Sequence, residues 1–153
     1  MTNPMTTLEQ LFQSDRPFEE VAGEFCTLLR NDFAHYSWVG IYMIEEPETL
    51  ILKAWDGPEA TEHVRIPVGQ GICGLAAREE KSVLVDDVQK EGEYLQCFLN
   101  TRSEIVVPIF LEGKVVGEID IDGDKVGAYN ETDRFFLEWC AERLGLAYKR
   151  RKS

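Results

Sequence analysis

Residues 103–122 read SEIVVPIFLEGKVVGEIDID, from Ser103 to Asp122, and this stretch decides the fold. Two runs rich in β-branched residues, Ser103–Leu111 and Lys114–Asp122, flank Glu112-Gly113, a short turn of the kind that joins antiparallel strands. A β-hairpin is expected here. Side chains two apart on a strand share a face, so Asp120 and Asp122 should point the same way, while Glu104 opens the preceding strand. From alternation alone, these carboxylates either converge on a pocket or line a solvent-facing strand edge.

Upstream, Tyr36–Ile44 (YSWVGIYMI) and Thr49–Trp55 are aromatic and β-branched, with the polar turn Glu45-Glu46-Pro47-Glu48 between them, and should form a second hairpin. Trp38 and Tyr42 stand four apart on its first strand and share a face; spacing by itself favours a core role over a ligand box. His63–Ile66 reads as a short strand ending at Pro67, Gly69-Gln70-Gly71 leads into a helix over Ile72–Glu79, and Ser82–Val85 is a further strand. A polar, irregular stretch follows, up to Asn100.

At the two ends the periodicity changes to that of amphipathic helices. Phe18, Val21, Ala22, Phe25, Cys26, Leu28 and Leu29 recur at helical spacing after a shorter piece carrying Leu8, Leu11 and Phe12. Asn130 is a good N-cap with Asp133 three positions on, and Phe136, Trp139, Cys140, Arg143, Leu144 and Ala147 follow along one side. This order predicts an α+β domain: an antiparallel sheet of five or six strands, N- and C-terminal helices on one face, and the short middle elements enclosing a pocket on the other.

With 153 residues, 44% of them hydrophobic, the chain is expected to be one domain, residues 1–153, with no second module. No apolar run is long enough for a membrane span and the N-terminus has no signal-peptide pattern, so a cytoplasmic protein is expected. Sixteen basic against 28 acidic side chains give a net charge of −12, which repels a phosphate backbone and disfavours nucleic acid as a partner. The basic cluster Lys149-Arg150-Arg151-Lys152 reads as a solvated helix end.

The four cysteines are widely spaced, which argues against a disulfide framework. Cys26 and Cys140 fall on the apolar faces of the terminal helices and read as inert core. Cys73 follows the Gly-x-Gly turn at a helix start, where the dipole favours a thiolate, or else it is a small residue packed beneath the turn. Cys97 lies among polar neighbours and should be reachable by solvent or substrate. His63, Cys73, Cys97 and a carboxylate are metal-ligating in type, but their spacings match no local ligand motif, so no metal site is expected.

Four runs taken together, SWVGIYMIE (37–45), VRIPVGQGICG (64–74), SEIVVP (103–108) and GEIDID (117–122), resemble the free methionine-(R)-sulfoxide reductases, single-domain enzymes built on the GAF fold. The likeness covers roughly residues 15–145. It implies Cys97, seven positions before Glu104, and Cys73 as the redox pair, with Glu104, Asp120, Asp122, Trp38 and Tyr42 binding the substrate. One departure is plain: a third family cysteine ahead of the VRIP run is absent, and His63 stands in its place.

The expected cycle has Cys97 attack the sulfoxide sulfur, methionine leave, and a Cys73–Cys97 disulfide form that thioredoxin resets, with no cofactor and a possible homodimer; sequence alone leaves open which of the two cysteines attacks and which resolves. The alternative is a non-catalytic GAF module that binds a small ligand and signals through partners. Against it, no output domain or long coiled-coil linker is expected from these 153 residues, so a bound ligand would have no evident path of transmission.

Overall fold

The computed structural model describes residues 3–91 and 100–151. Helices α1 (Pro4–Phe12) and α2 (Phe18–Asp32) come first, then strands β1 (Trp38–Glu46), β2 (Thr49–Asp56) and β3 (Arg65–Pro67). Helix α3 (Gly71–Glu79), strand β4 (Val83–Val85) and a short 3₁₀ turn at Val88–Lys90 follow, and then strands β5 (Ser103–Leu111) and β6 (Lys114–Gly123). Helix α4 (Glu131–Lys149) closes the fold. The strands form one six-stranded antiparallel sheet in the order β3-β2-β1-β6-β5-β4.

Both expected hairpins are present, and the sheet joins them by pairing β1 with β6. Period-two alternation then gives the sheet two different faces. Val39, Ile41, Met43, Ile105, Val107, Ile109, Ile119 and Ile121 point to the face covered by α2 and α4, on which α1 packs, and each of these side chains is fully buried. The N-terminal cap of α4 forms as the sequence predicts. Asn130 Oδ1 accepts from the Thr132 and Asp133 amides at 2.9 and 3.3 Å, and Asp133 Oδ2 accepts from the Asn130 amide at 3.0 Å.

The apolar centre of α4 differs from the expected stripe. Leu137, Cys140, Ala141 and Leu144 are the buried core of the helix, whereas Phe136 and Trp139 are only partly buried at its margin. Their neighbours explain this: Phe136 packs on Phe33 and Trp139 on Phe12, so these rings seal the seam between terminal helices instead of facing the sheet. The third strand also starts two residues later than expected: Arg65–Pro67 form the ladder with β2, while Val64 is exposed and only its carbonyl accepts from the Leu52 amide, at 2.9 Å.

The opposite face carries a smaller apolar cluster beneath α3, made by Trp38, Tyr42, Leu50, Ile66, Val85 and Val106 with Ile72, Cys73, Ala76 and Ala77. Helix α3 is held close by the Gly-x-Gly turn. Gly69 and Gly71 have φ of +97° and +67°, and the Gly69 amide donates to the Gly74 carbonyl at 2.8 Å. A Cβ on Gly74 would lie 2.7 Å from the Pro67 carbonyl, so only glycine permits this approach.

Candidate active site

Strand register assembles the site. Trp38, Gly40 and Tyr42 on β1 stand opposite Asp122, Asp120 and Glu118 on β6, and β5 places Glu104 beside Asp122 and Val106 beside Asp120. Strict alternation puts all these side chains on the face under α3. Of the two readings open from alternation, the acids take the inward one. Glu104, Asp120 and Asp122 are 5%, 2% and 3% exposed, so they do not line a solvated edge.

Helix α3 delivers Cys73 to the same place. Its Sγ and one carboxylate oxygen from each of Glu104 and Asp120 lie within 4.8 Å of one another. Burial pushes the Cys73 thiol well above its usual range, and the charges of Asp120, Glu118 and Glu104 push in the same direction. The expected help from the helix N-terminus is outweighed. Cys73 in this environment is a thiol packed against acids.

Glu118 is the residue that the sequence reading omits. It is fully buried, and neither carboxylate oxygen completes a hydrogen bond of ordinary geometry among the described residues, although it lies beside Cys73. The signal was available in GEIDID, since Glu118, Asp120 and Asp122 alternate at a strict period of two. Burial raises all three of their carboxyl groups. The charge of Asp120 adds to the effect at Glu118 and Asp122, and Glu104 partly offsets it by hydrogen bonding to Asp120 and Asp122. No lysine or arginine is buried among the described residues to neutralise them.

Trp38 and Tyr42 are members of the packed cluster under α3, as the core reading expects, and stand opposite Asp122 and Glu118 on the neighbouring strand. The Trp38 ring lies over Gly40 and Gly57, where an added Cβ would come within 2.4 and 2.2 Å of it. Its Nε1 donates to the Glu59 carbonyl at 3.2 Å, and its ring stacks on Trp55. The Tyr42 hydroxyl donates to the His63 carbonyl at 2.7 Å, so residue 63 contributes its backbone to the site wall. A small cleft of about 60 Å³ opens at Trp38, Thr101 and Asp122. Two larger clefts, one lined by Lys81, Arg134 and Glu138 and the other by Arg16, Arg150 and Arg151, bring no thiol to a buried acid.

Cys97 lies outside the described residues. Cys26 and Cys140 are fully buried in the helix-covered core, where desolvation holds their thiols protonated, in keeping with an inert role. Among the described residues no helix is long and apolar enough to cross a membrane.

The sheet has helices on one face and a row of buried acids beneath α3 on the other, and the GAF-domain family profile matches residues 15–147. The chain is 30% identical over 134 residues to the free methionine-R-sulfoxide reductase of Escherichia coli, covering 88% of this chain and 79% of that protein. It belongs to the free methionine-R-sulfoxide reductase family of GAF-domain proteins. GAF domain-containing protein A of Dictyostelium discoideum is 35% identical over 103 residues, which span 67% of this chain and 64% of that protein. The crystal structure of free methionine-R-sulfoxide reductase from Neisseria meningitidis, solved in complex with its substrate, superposes with a TM-score of 0.89 at 29% identity, covering 95% of this chain and 86% of that one.

Proposed function

We propose that this protein reduces free methionine-(R)-sulfoxide to methionine with thiols as the reductant. The observation that carries the reading is the meeting of the Cys73 thiol with buried Glu104 and Asp120 beneath α3, beside Asp122 and Trp38. Such a site has the parts that sulfoxide reduction requires: sulfur chemistry, a proton source for the departing oxygen, and anionic groups for a substrate ammonium.

In the proposed cycle the Cys97 thiolate attacks the sulfoxide sulfur and a protonated carboxyl of the cluster donates to the sulfoxide oxygen. Methionine leaves, and the oxygen remains on Cys97 as a sulfenic acid. The Cys73 thiol then displaces that oxygen as water to form a Cys73–Cys97 disulfide, and an external dithiol such as thioredoxin reduces it. Crowding of acids serves this scheme. One carboxyl raised by burial retains the proton to be donated, while an ionised neighbour pairs with the substrate ammonium. Trp38 and Tyr42 supply the wall against which the substrate side chain packs.

The test is thiol-coupled turnover of free methionine-(R)-sulfoxide, with the S epimer and a peptide-bound sulfoxide as controls. Selective turnover of the free R epimer is expected, with loss of methionine release in the variant lacking the attacking thiol. Trapping of sulfenic acid in Cys73→Ser and Cys97→Ser proteins assigns the attacker. Tight binding without turnover would replace the enzyme reading with that of a ligand-binding GAF module.

A further inference from the structure

Sequence spacing contains no metal-ligand motif, yet the fold brings a thiol and two carboxylates from three separate elements to one point. Cys73 comes from α3, Glu104 from β5 and Asp120 from β6, and their donor atoms lie within 4.8 Å of one another. Ligand-to-ligand edges in a tetrahedral zinc site are about 3.3–3.8 Å, so rotamer adjustments on the order of 1 Å close the set around one ion.

An independent feature points the same way. Glu118, outside this donor set, is fully buried beside Cys73 with neither oxygen in a hydrogen bond among the described residues, and Asp120 Oδ1 and Asp122 Oδ1 are likewise unpartnered. Buried carboxylate oxygens left unpaired, with no buried lysine or arginine among the described residues, call for positive charge, either protons or a cation.

We propose that the reduced, substrate-free protein binds one thiophilic divalent cation, of the zinc class, through Cys73 Sγ, Glu104 and Asp120, with Glu118 and Asp122 supplying further negative charge beside it. The thiol sets the selectivity: magnesium and calcium prefer all-oxygen shells of six or more ligands, whereas a thiolate with two carboxylates suits zinc or cobalt. Binding turns the Cys73 thiol into a thiolate, and its proton, with any shared by Glu104 and Asp120, goes to solvent; no electrons move. The small cleft at Trp38 and Thr101 touches the acid row at Asp122. If the function proposed above holds, cation and sulfoxide exclude one another, because they share Glu104, Asp120 and Cys73; cation binding itself does not depend on that reading.

The experiment is a titration of the reduced full chain with Co²⁺, read by the thiolate-to-cobalt charge-transfer band in the near ultraviolet. Expected results are one equivalent bound, displacement by Zn²⁺ but not by excess Mg²⁺, and a band kept in Cys97→Ser but lost in Cys73→Ser. Asp120→Asn should weaken binding tenfold or more. Thermal unfolding of the unmodified protein provides a second measurement, with a Tm raised by Zn²⁺ and not by Mg²⁺. No cobalt band in the unmodified protein, a band that survives Cys73→Ser, or a Tm indifferent to Zn²⁺ overturns the proposal. Sulfoxide turnover, measured separately in chelator, tells a failure of this inference from a failure of the reductase reading.

Discussion

Replacing Glu118 with glutamine should shift stability progressively in favour of the variant as pH rises. Folding buries the Glu118 carboxyl fully, and burial and the charge of Asp120 raise it well above its ordinary value of 4.5, against a smaller opposing effect of the neighbouring Cys73 thiol. Above pH 4.5 the unfolded chain therefore holds this group ionised while the folded chain still holds its proton. The folded state binds more protons, so stability falls as pH rises, until the folded group ionises as well. Each pH unit in that window costs the native protein about 1.4 kcal/mol, and Glu118→Gln, which cannot titrate, escapes the loss. Between pH 5 and pH 7 the gap between the two proteins should widen by up to about 3 kcal/mol. The uncharged amide still buries polar atoms, which contributes a constant offset of about 1–3 kcal/mol that does not change the slope. The assay is urea unfolding of both proteins at a series of pH values, in chelator so that no cation supplies the missing charge. Parallel stability profiles from pH 5 to pH 7 would refute the claim that Glu118 is a buried, uncompensated acid.

Other outcomes follow from the same structure. Leu137→Ala removes a fully buried side chain from the helix-covered core and should lower unfolding free energy by about 2–5 kcal/mol in chemical denaturation. Gly40→Ala places a methyl against the Trp38 ring; it should cost about 1–3 kcal/mol, shift tryptophan fluorescence and raise the KM for sulfoxide more than it lowers kcat. Glu45 is held below its usual range mainly by Lys53, 2.9 Å away, with help from the Tyr148 hydroxyl at 3.0 Å. Its contribution is present above its ordinary value and lost as pH falls through the lower folded one, so Glu45→Gln should be the less stable protein at neutral pH and the two should converge on acidification. Reductase activity should fall as pH rises through the range in which the proton-donating carboxyl ionises, and a flat kcat/KM profile on the alkaline side would count against an acid donor.

What the sequence determined by itself was local. The turn at Glu112-Gly113 with β-branched runs on either side specifies a hairpin, and the Asn130 cap with an apolar period behind it specifies the last helix, because these signals act between residues a few positions apart. Period two also specifies that Asp120 and Asp122 share a face, and with the same logic Glu118. The resemblance carried by the four runs led to the family, which the comparisons bear out.

Tertiary structure decided what that face means. Alternation assigns side chains to one side of a sheet or the other, but whether a side is dry depends on what packs over it. The docking of α3 through the Gly69–Gly74 turn brings Cys73 to the buried acids. Pairing of β1 with β6, strands far apart in the chain, sets Trp38 and Tyr42 opposite Asp122 and Glu118. Contacts of this range leave no periodic trace, so the thiol, its buried carboxylates and their missing counter-charge become visible only when the sheet is assembled.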